Sequence, residues 1–269
     1  MFPSHQTGFL CRKAKYPQRL SLFSRGHQRA FSLMELLIVA GIIVIIMGLV
    51  VPVFRTEKTP SNAAYGVAGV FDQARSYAMA NSTYVFVGLF EEDGSQPSPA
   101  PNASAKAGVG RVVIAAVASK DGMSGYDDAN KTWTFYGNGN NLLALGKLWR
   151  FEVTSLSETR LTDSTGGMVR PALDSNGILI KGTTATTTPF SWPLGKALGS
   201  GQYQFQTVIC FSPQGVARVL DADHPDFTAI PSLLELGLLT AHGNVASSGS
   251  NVAAIQIDSI TGATRVYRP

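Results

Sequence analysis

Hydrophobic residues form one long run near the N-terminus. Between Phe31 and Phe54 the only polar residues are Ser32 and Glu35. At about 1.5 Å per helical residue, roughly 20 residues cover the hydrocarbon layer of a membrane, and the run has this reach before Pro52. The pattern therefore predicts a membrane-spanning helix.

Three residues in this run bear on how the helix packs. Gly41 and Gly48 are seven residues apart, which places them on nearly one helical face where a neighbouring helix can approach closely. Glycine is also common in membrane helices without such a role, so both interpretations stay open. Pro52 removes a backbone hydrogen bond and predicts a kink near the membrane exit.

A second helical pattern follows the run. After Pro60, Ser61 is a suitable N-cap, and apolar residues then recur at spacings of three and four. The pattern predicts an amphipathic helix within residues 55–82, laid against something apolar. The apolar positions are Ala64, Val67, Val70, Phe71, Ala74, Tyr77 and Ala78.

From Tyr84 onward, short β-rich runs alternate with Gly, Pro, Asn and Ser. Segments 211–215 and 258–262 are turn-length connections, so the strands that flank each one are expected to pair antiparallel. Residues 231–239 suit a short helix or an apolar turn, with their leucines in the core rather than at a neighbouring subunit. The predicted strands cover residues 84–90, 111–118, 132–136, 148–153, 203–211, 216–220, 252–258 and 264–267.

Together these elements predict an α+β fold, in which a long N-terminal helix, membrane-spanning in its first half, packs on an antiparallel β-sheet. The predicted organisation has four parts. A basic leader covers residues 1–30 and a transmembrane helix covers 31–54. An amphipathic helix at 55–82 then continues into a β-rich body at 83–269.

The formal charge of +4 is unevenly distributed along the chain. Residues 1–30 contain six basic residues and no acidic ones, which leaves 16 basic and 18 acidic residues in the remainder. This nearly neutral remainder argues against a nucleic-acid partner. Because Lys and Arg are concentrated before the apolar run, we expect a cytoplasmic N-terminus, a single span of the inner membrane and a periplasmic body.

Glu35 is the residue of the run that needs a physical explanation. A carboxylate inside a spanning helix costs a few kcal/mol and usually has a partner. An α-amine four residues away would supply the positive charge if the chain were cut between Ala30 and Phe31. The residues therefore point to a processing site.

The same residues carry a family resemblance. Residues 29–39, Arg-Ala-Phe-Ser-Leu-Met-Glu-Leu-Leu-Ile-Val, with the apolar run that continues to Pro52, resemble the N-terminal signal of type IV prepilins and type II secretion pseudopilins. The family's leader ordinarily ends in Gly, whereas this chain has Ala30. Residues 67–87 also resemble the GspH/FimT group of minor pseudopilins. Residues 74–93 and 111–122 resemble the prepilin-like proteins called Verru_Chthon cassette protein D.

The resemblance implies a structural minor subunit of a type II secretion pseudopilus or of a type IV pilus-like filament. It implies cleavage between Ala30 and Phe31 by prepilin peptidase, N-methylation of Phe31, and Glu35 as the assembly partner of an N-terminal amine. The other implied partners are further pilins or pseudopilins, an inner-membrane assembly platform and membrane lipid. After assembly the subunit would lie in the filament.

A rival interpretation keeps the chain uncleaved. It is then a single-pass inner-membrane protein with a periplasmic binding domain, and Glu35 is tolerated near the start of the helix. Ala30 at the cut site keeps this alternative open.

The sequence offers little catalytic chemistry. The carboxylates of Asp221, Asp223 and Asp226 suit calcium, but the glycine and terminal glutamate of a recognised calcium loop are missing, so a solvated turn is preferred. Cys210 lies in an apolar strand pattern and is expected to be buried. A hydrolase that uses His224, Asp226 or Cys210 is a third alternative, but no motif pairs a nucleophile with a base, so we do not expect an enzyme. No two histidines lie at helical ligand spacing and no phosphate-binding loop is present, so we expect no bound metal or cofactor.

Overall fold

The computed structural model divides the chain into two compact units, Met1–Thr56 and Glu57–Pro269. In the first unit, Met34, Leu37 and Ile38 are helical and exposed. In the second unit the structure describes residues 60–100, 103–127, 132–133, 140–161, 168–182, 189–197, 200–220, 230–247, 249 and 251–269.

Within the described part of the second unit, one helix, α1 (Pro60–Ala80), precedes sixteen strands. The strands are β1 (Val85–Asp93), β2 (Gly110–Ser119), β3 (Tyr126–Asp127), β4 (Thr132–Trp133), β5 (Leu142–Ala144), β6 (Trp149–Glu152), β7 (Thr154–Leu156), β8 (Ile178–Ile180), β9 (Phe190–Trp192), β10 (Tyr203–Phe205), β11 (Thr207–Phe211), β12 (Ala217–Leu220), β13 (Leu233–His242), β14 (Val245–Ser247), β15 (Ala253–Asp258) and β16 (Thr264–Tyr267).

Most strands belong to two six-stranded sheets. Sheet 1 has the order β12-β11-β1-β2-β5, and β6 also pairs with β2; all its pairs are antiparallel. Sheet 2 has the order β14-β13-β15-β16, and β7 and β8 also pair with β13, β8 in parallel. The pairs β9–β10 and β3–β4 stand apart from both sheets.

The central strands of sheet 1, β11, β1 and β2, are largely buried on both faces. Alternation along β1 directs Val85, Val87 and Leu89 into a main core that also contains residues of α1 and sheet 2. The intervening Phe86 belongs to a second core with the hairpin β9–β10. Strand β2 is buried along its whole length, which explains its nearly continuous apolar sequence.

Helix α1 is built into the main core. Proline suits the first position of a helix, where its missing N–H has no helical partner, and α1 begins at Pro60. The Phe71 ring is fully buried, with its centroid 6.4 Å from that of Phe211. The helix ends before Ser82, which has a left-handed φ of 49°. The other buried apolar residues of the predicted face are Ala64, Val67, Val70, Ala74 and Ala78.

The predicted fold class is wrong. The sequence predicted an α+β fold with a long N-terminal helix, membrane-spanning in its first half and packed on an antiparallel sheet. The described residues of the second unit instead form mostly β-sheet with one helix of 21 residues. The physical reason is that the apolar segments after α1 pair as strands in two six-stranded sheets, against which the helix packs as a single element.

Across the described residues, no helix has both the length and the apolar character required for a membrane crossing.

Residues 231–239 were predicted to be a short helix or a turn, which is also wrong. They fall largely within β13, the central strand of sheet 2. The expected core role of these leucines is confirmed at alternate positions, since Leu234, Leu236 and Leu238 are fully buried. The two predicted antiparallel connections are confirmed as well, between β11 and β12 and between β15 and β16.

Candidate functional site

The predicted processing and assembly residues lie outside the described residues. They are Ala30, Phe31, Glu35, Gly41, Gly48 and Pro52. The calcium candidates Asp221, Asp223 and Asp226 lie outside them too. The described body has a different polar centre, at the end of strand β1.

Strand β1 ends in three consecutive acidic residues, Glu91, Glu92 and Asp93. Because side chains alternate along a strand, Glu91 lies on the main-core face and Glu92 on the face of the β9–β10 hairpin. Asp93 accepts hydrogen bonds from the Ser95 hydroxyl at 2.5 Å and the Ser95 amide at 3.0 Å, and its carboxylate lies 3.1 Å from the Lys106 ammonium. The bonds from Ser95, followed by that from Lys106, lower the pKa of Asp93.

Glu92 is buried in an ion pair. Arg111 stands opposite Glu92 on β2, and Glu152 stands opposite Arg111 on β6. The Arg111 guanidinium lies 3.1 Å from Glu92 Oε2 and 2.9 Å from Glu152 Oε2. Burial acts to lower the pKa of Arg111, but the two carboxylates outweigh it and raise the pKa. One cation on β2 therefore holds two carboxylates, one on each of the strands β1 and β6 that pair with β2.

Tyr203 and Arg150 extend this network to the hairpin. Arg150 Nη2 donates to the Tyr203 hydroxyl at 3.2 Å, and its guanidinium carbon lies 5.7 Å from the centre of the Tyr203 ring. The Tyr203 hydroxyl in turn donates to Glu92 Oε2 at 3.5 Å. Burial is the main cause of the raised pKa of Tyr203. Charged and polar groups thus link β1, β2, β6 and β10.

Glu91 is held in a different way. Its Oε1 accepts hydrogen bonds from the Ser155 hydroxyl and from the Leu156 amide, the latter at 3.2 Å. Burial raises the pKa of Glu91 to about 7, the bonds from Ser155 and Leu156 oppose the rise, and the Glu158 carboxylate adds to it. Among the groups that shift this pKa, none is a cation.

Gly182 lies between the carboxylates of Glu91 and Glu158. A Cβ at this position would lie 2.7 Å from Glu91 Oε2 and 3.2 Å from Glu158 Oε1. The Gly182 amide donates to Glu158 Oε1 at 3.1 Å. Glycine therefore leaves room for two acidic groups to approach the same stretch of backbone.

Glu91 and Glu92 interact with residues on either side of the point where the chain passes from β6 to β7. Between Glu152 of β6 and Thr154 of β7 the chain passes from sheet 1 to sheet 2 at Val153. Val153 has a φ of 58°, a rare conformation for a β-branched residue. Glu92, through Arg111, fixes the β6 side, and Glu91 fixes the β7 side.

A second buried ion pair lies in sheet 2. Arg170 Nη2 lies 2.9 Å from Glu235 Oε1, and both side chains are fully buried. Arg170 Nε donates to Glu235 Oε2 at 3.2 Å, so the pair is bidentate. Gln256 Nε2 donates to Glu235 Oε2 at 2.7 Å, and the more exposed Arg160 Nε at 3.3 Å. This pair ties the segment that contains Arg170 to β13 and β15.

Comparison with protein-family models, curated proteins and solved structures found no match for this chain. The chemistry of the site therefore follows from its own geometry. The carboxylate of Glu92 is fixed by a cation. The carboxyl of Glu91, with a pKa of about 7, takes up and releases a proton near neutral pH.

Other reactive groups in the described residues are buried or dispersed. Cys210 is buried as predicted, and burial raises the pKa of its thiol. Within the described ranges, no three His, Cys, Asp or Glu side chains come together in a way that would hold a metal ion.

Sequence reasoning missed the end of β1. The predicted strand stopped at Phe90 because three acidic residues follow it, and acidic residues are uncommon in strands. The available signal was Arg111, a lone cation at the start of the next apolar strand. In an antiparallel pair joined by one connection, the end of one strand lies beside the start of the next, so Arg111 was positioned to meet these carboxylates.

Proposed function

We propose that this chain is a structural subunit of a pilin-like filament, either a type II secretion pseudopilus or a type IV pilus-like filament. In this proposal prepilin peptidase cuts between Ala30 and Phe31, and Phe31 is then N-methylated. The single observation that carries the proposal is Glu35, the only charged residue of the run 31–54, directly after a basic leader.

The proposed mechanism rests on charge neutralisation. Cleavage gives Phe31 a cationic amine, which pairs with the Glu35 carboxylate of an adjacent subunit. In a low-dielectric environment the attraction between the two charges offsets the cost of burying both. Membrane lipid, other pilins or pseudopilins and an inner-membrane assembly platform are the partners that this mechanism requires.

The position of α1 in the body supports the proposal. The helix begins at Pro60, six residues after the end of the apolar run. Its buried face reaches the main core, where Phe71 contacts Phe211 of β11. In this proposal, the N-terminal run is followed in the chain by a helix that packs against residues of both sheets of the body.

The test is the mass of the N-terminus. Protein extracted from the membranes of its native cells should lack residues 1–30 and begin at N-methylated Phe31, by intact mass and N-terminal peptide sequencing. An Ala30→Gly variant, which restores the family's residue at the cut site, should be processed at least as completely. A chain that retains its first 30 residues would contradict the proposal and support the uncleaved single-pass protein with a binding domain.

A further inference from the structure

We propose that Glu91 is a proton-operated latch: protonated, it keeps the segments at Glu158 and Gly182 closed on strand β1, and ionised, it releases them. The two oxygens of Glu91 have separate roles. Oε1 accepts the bonds from Ser155 and Leu156, whereas Oε2 lies beside Gly182, where Glu158 Oε1 also lies.

The protonated form suits the closed arrangement. A proton on Glu91 Oε2 removes one of the two negative charges that border Gly182, and gives Glu91 a donor on the side of Glu158. Oε1 remains free to accept from Ser155 and Leu156, so the contact with β7 does not depend on ionisation. Protonation therefore acts on the Glu158 side of the junction.

The ionised form opposes the closed arrangement. Two carboxylates then border one glycine, and the partial burial of Glu91 reduces the hydration that would stabilise its charge. Movement of the Glu158 and Gly182 segments away from β1 would separate the charges and admit water. The raised pKa of about 7 agrees with this geometry and places the change near neutral pH.

Among the described residues, no cation is among the groups that shift the pKa of Glu91. Glu158 is the charged group that acts on Glu91 from the segment after β7, and it raises the pKa. On the segment after β8, Lys181 is half-buried, and its backbone carbonyl accepts a bond from the Thr207 hydroxyl at 3.3 Å. Arg111 lies on the other face of sheet 1, where it is paired with Glu92 and Glu152.

Hydrogen–deuterium exchange of the detergent-solubilised full chain tests the latch. After correction for intrinsic exchange rates, peptides that report the amides of Glu158 and Gly182 should exchange faster at pH 8.5 than at pH 5.5. The increase should be up to about 30-fold, the linkage limit for a carboxyl with a pKa of about 7 when closed and 4.5 when open. Glu91→Gln should remove this pH dependence, and Asp72→Asn, which removes an exposed carboxylate on α1, should keep it.

Two results would overturn the latch. One is corrected exchange in these peptides that does not change with pH in the unmodified chain, and the other is pH dependence that persists in Glu91→Gln. If Glu91→Gln does not fold, Glu158→Gln replaces it as the test. Because this variant removes the like charge, the midpoint of the pH dependence should move to lower pH, and an unchanged midpoint would reject the proposal.

Discussion

Glu91 and Glu92 are neighbours in sequence, yet their carboxylates are buried by different means. Glu92 is paired with Arg111 and shares that cation with Glu152. Glu91 has hydrogen bonds from Ser155 and Leu156, and it is half-protonated near pH 7. The comparison shows two ways to offset the partial or full burial of a carboxyl group in this body: a paired cation at Glu92 and a raised pKa, which favours the protonated form, at Glu91.

Under the filament proposal, the same rule applies to Glu35 in the N-terminal run. The run 31–54 contains no other charged residue, so it supplies no side-chain cation. The remaining means are a proton or a charge from outside the run. In the filament proposal the charge comes from outside the run, from the Phe31 amine of an adjacent subunit.

The largest loss of stability is expected at the second buried ion pair, between Arg170 and Glu235. Arg170→Met leaves Glu235 buried without its bidentate partner, and we expect a loss of about 3–5 kcal/mol in the free energy of unfolding. Urea unfolding of the detergent-solubilised chain, followed by tryptophan fluorescence, measures this loss. Arg160→Ala, at a more exposed partner of Glu235, is the control and should cost about 1 kcal/mol or less. Equal losses in the two variants would contradict the assignment.

Arg111→Met should leave Glu92, like Glu91, as a carboxyl without a paired cation. We expect a loss of about 3 kcal/mol at pH 7.5, because Glu92 is 2% exposed and would have no cation. The loss should shrink at pH 5.5, since a proton then neutralises the buried carboxyl. Urea unfolding at both pH values measures it. The double variant Arg111→Met/Glu92→Gln should lose most of this pH sensitivity, and an Arg111→Met loss that is the same at both pH values would argue against the comparison.

A smaller effect is expected from Glu91→Gln, which removes the carboxyl that gains or loses a proton. A carboxyl with a pKa raised from 4.5 to about 7 on folding stabilises the fold fully below pH 4.5, and this contribution is lost as the pH rises through 7. The contribution is at most about 3 kcal/mol, since one pKa unit corresponds to about 1.4 kcal/mol. Urea midpoints between pH 4.5 and 8.5 should therefore fall less in Glu91→Gln than in the unmodified chain. Parallel profiles for the two proteins would show that Glu91 is not the group responsible.

Much of the body's strand pattern was predictable from the sequence. Strand β16 was predicted with its observed bounds, and β12 and β15 to within one residue at their first position. Turn residues carried this information, because Gly215 and Gly262 adopt the left-handed backbone that ends each connection. Local chemistry was thus sufficient where the partner strand followed directly in the chain.

Sequence reasoning failed where the structure depends on distant residues. Leu233–His242 became a strand because β15, β7 and β8 all pair with it, and the leucine-rich sequence alone did not choose between helix and strand. The Glu91 site joins β1 to β7, which lies more than 60 residues later in the chain. No local pattern indicates that Ser155 and Gly182 meet this carboxylate.

The most direct test of the central claim is the assembly of a Glu35→Ala variant in native cells. With the charge removed, membrane insertion should be intact or improved, while site-specific crosslinking between subunits should fall at least about tenfold, the equivalent of 1.4 kcal/mol of lost pairing. Ser32→Ala, at the other polar residue of the run, should crosslink normally. Normal crosslinking of Glu35→Ala would contradict the pairing of Glu35 with the Phe31 amine.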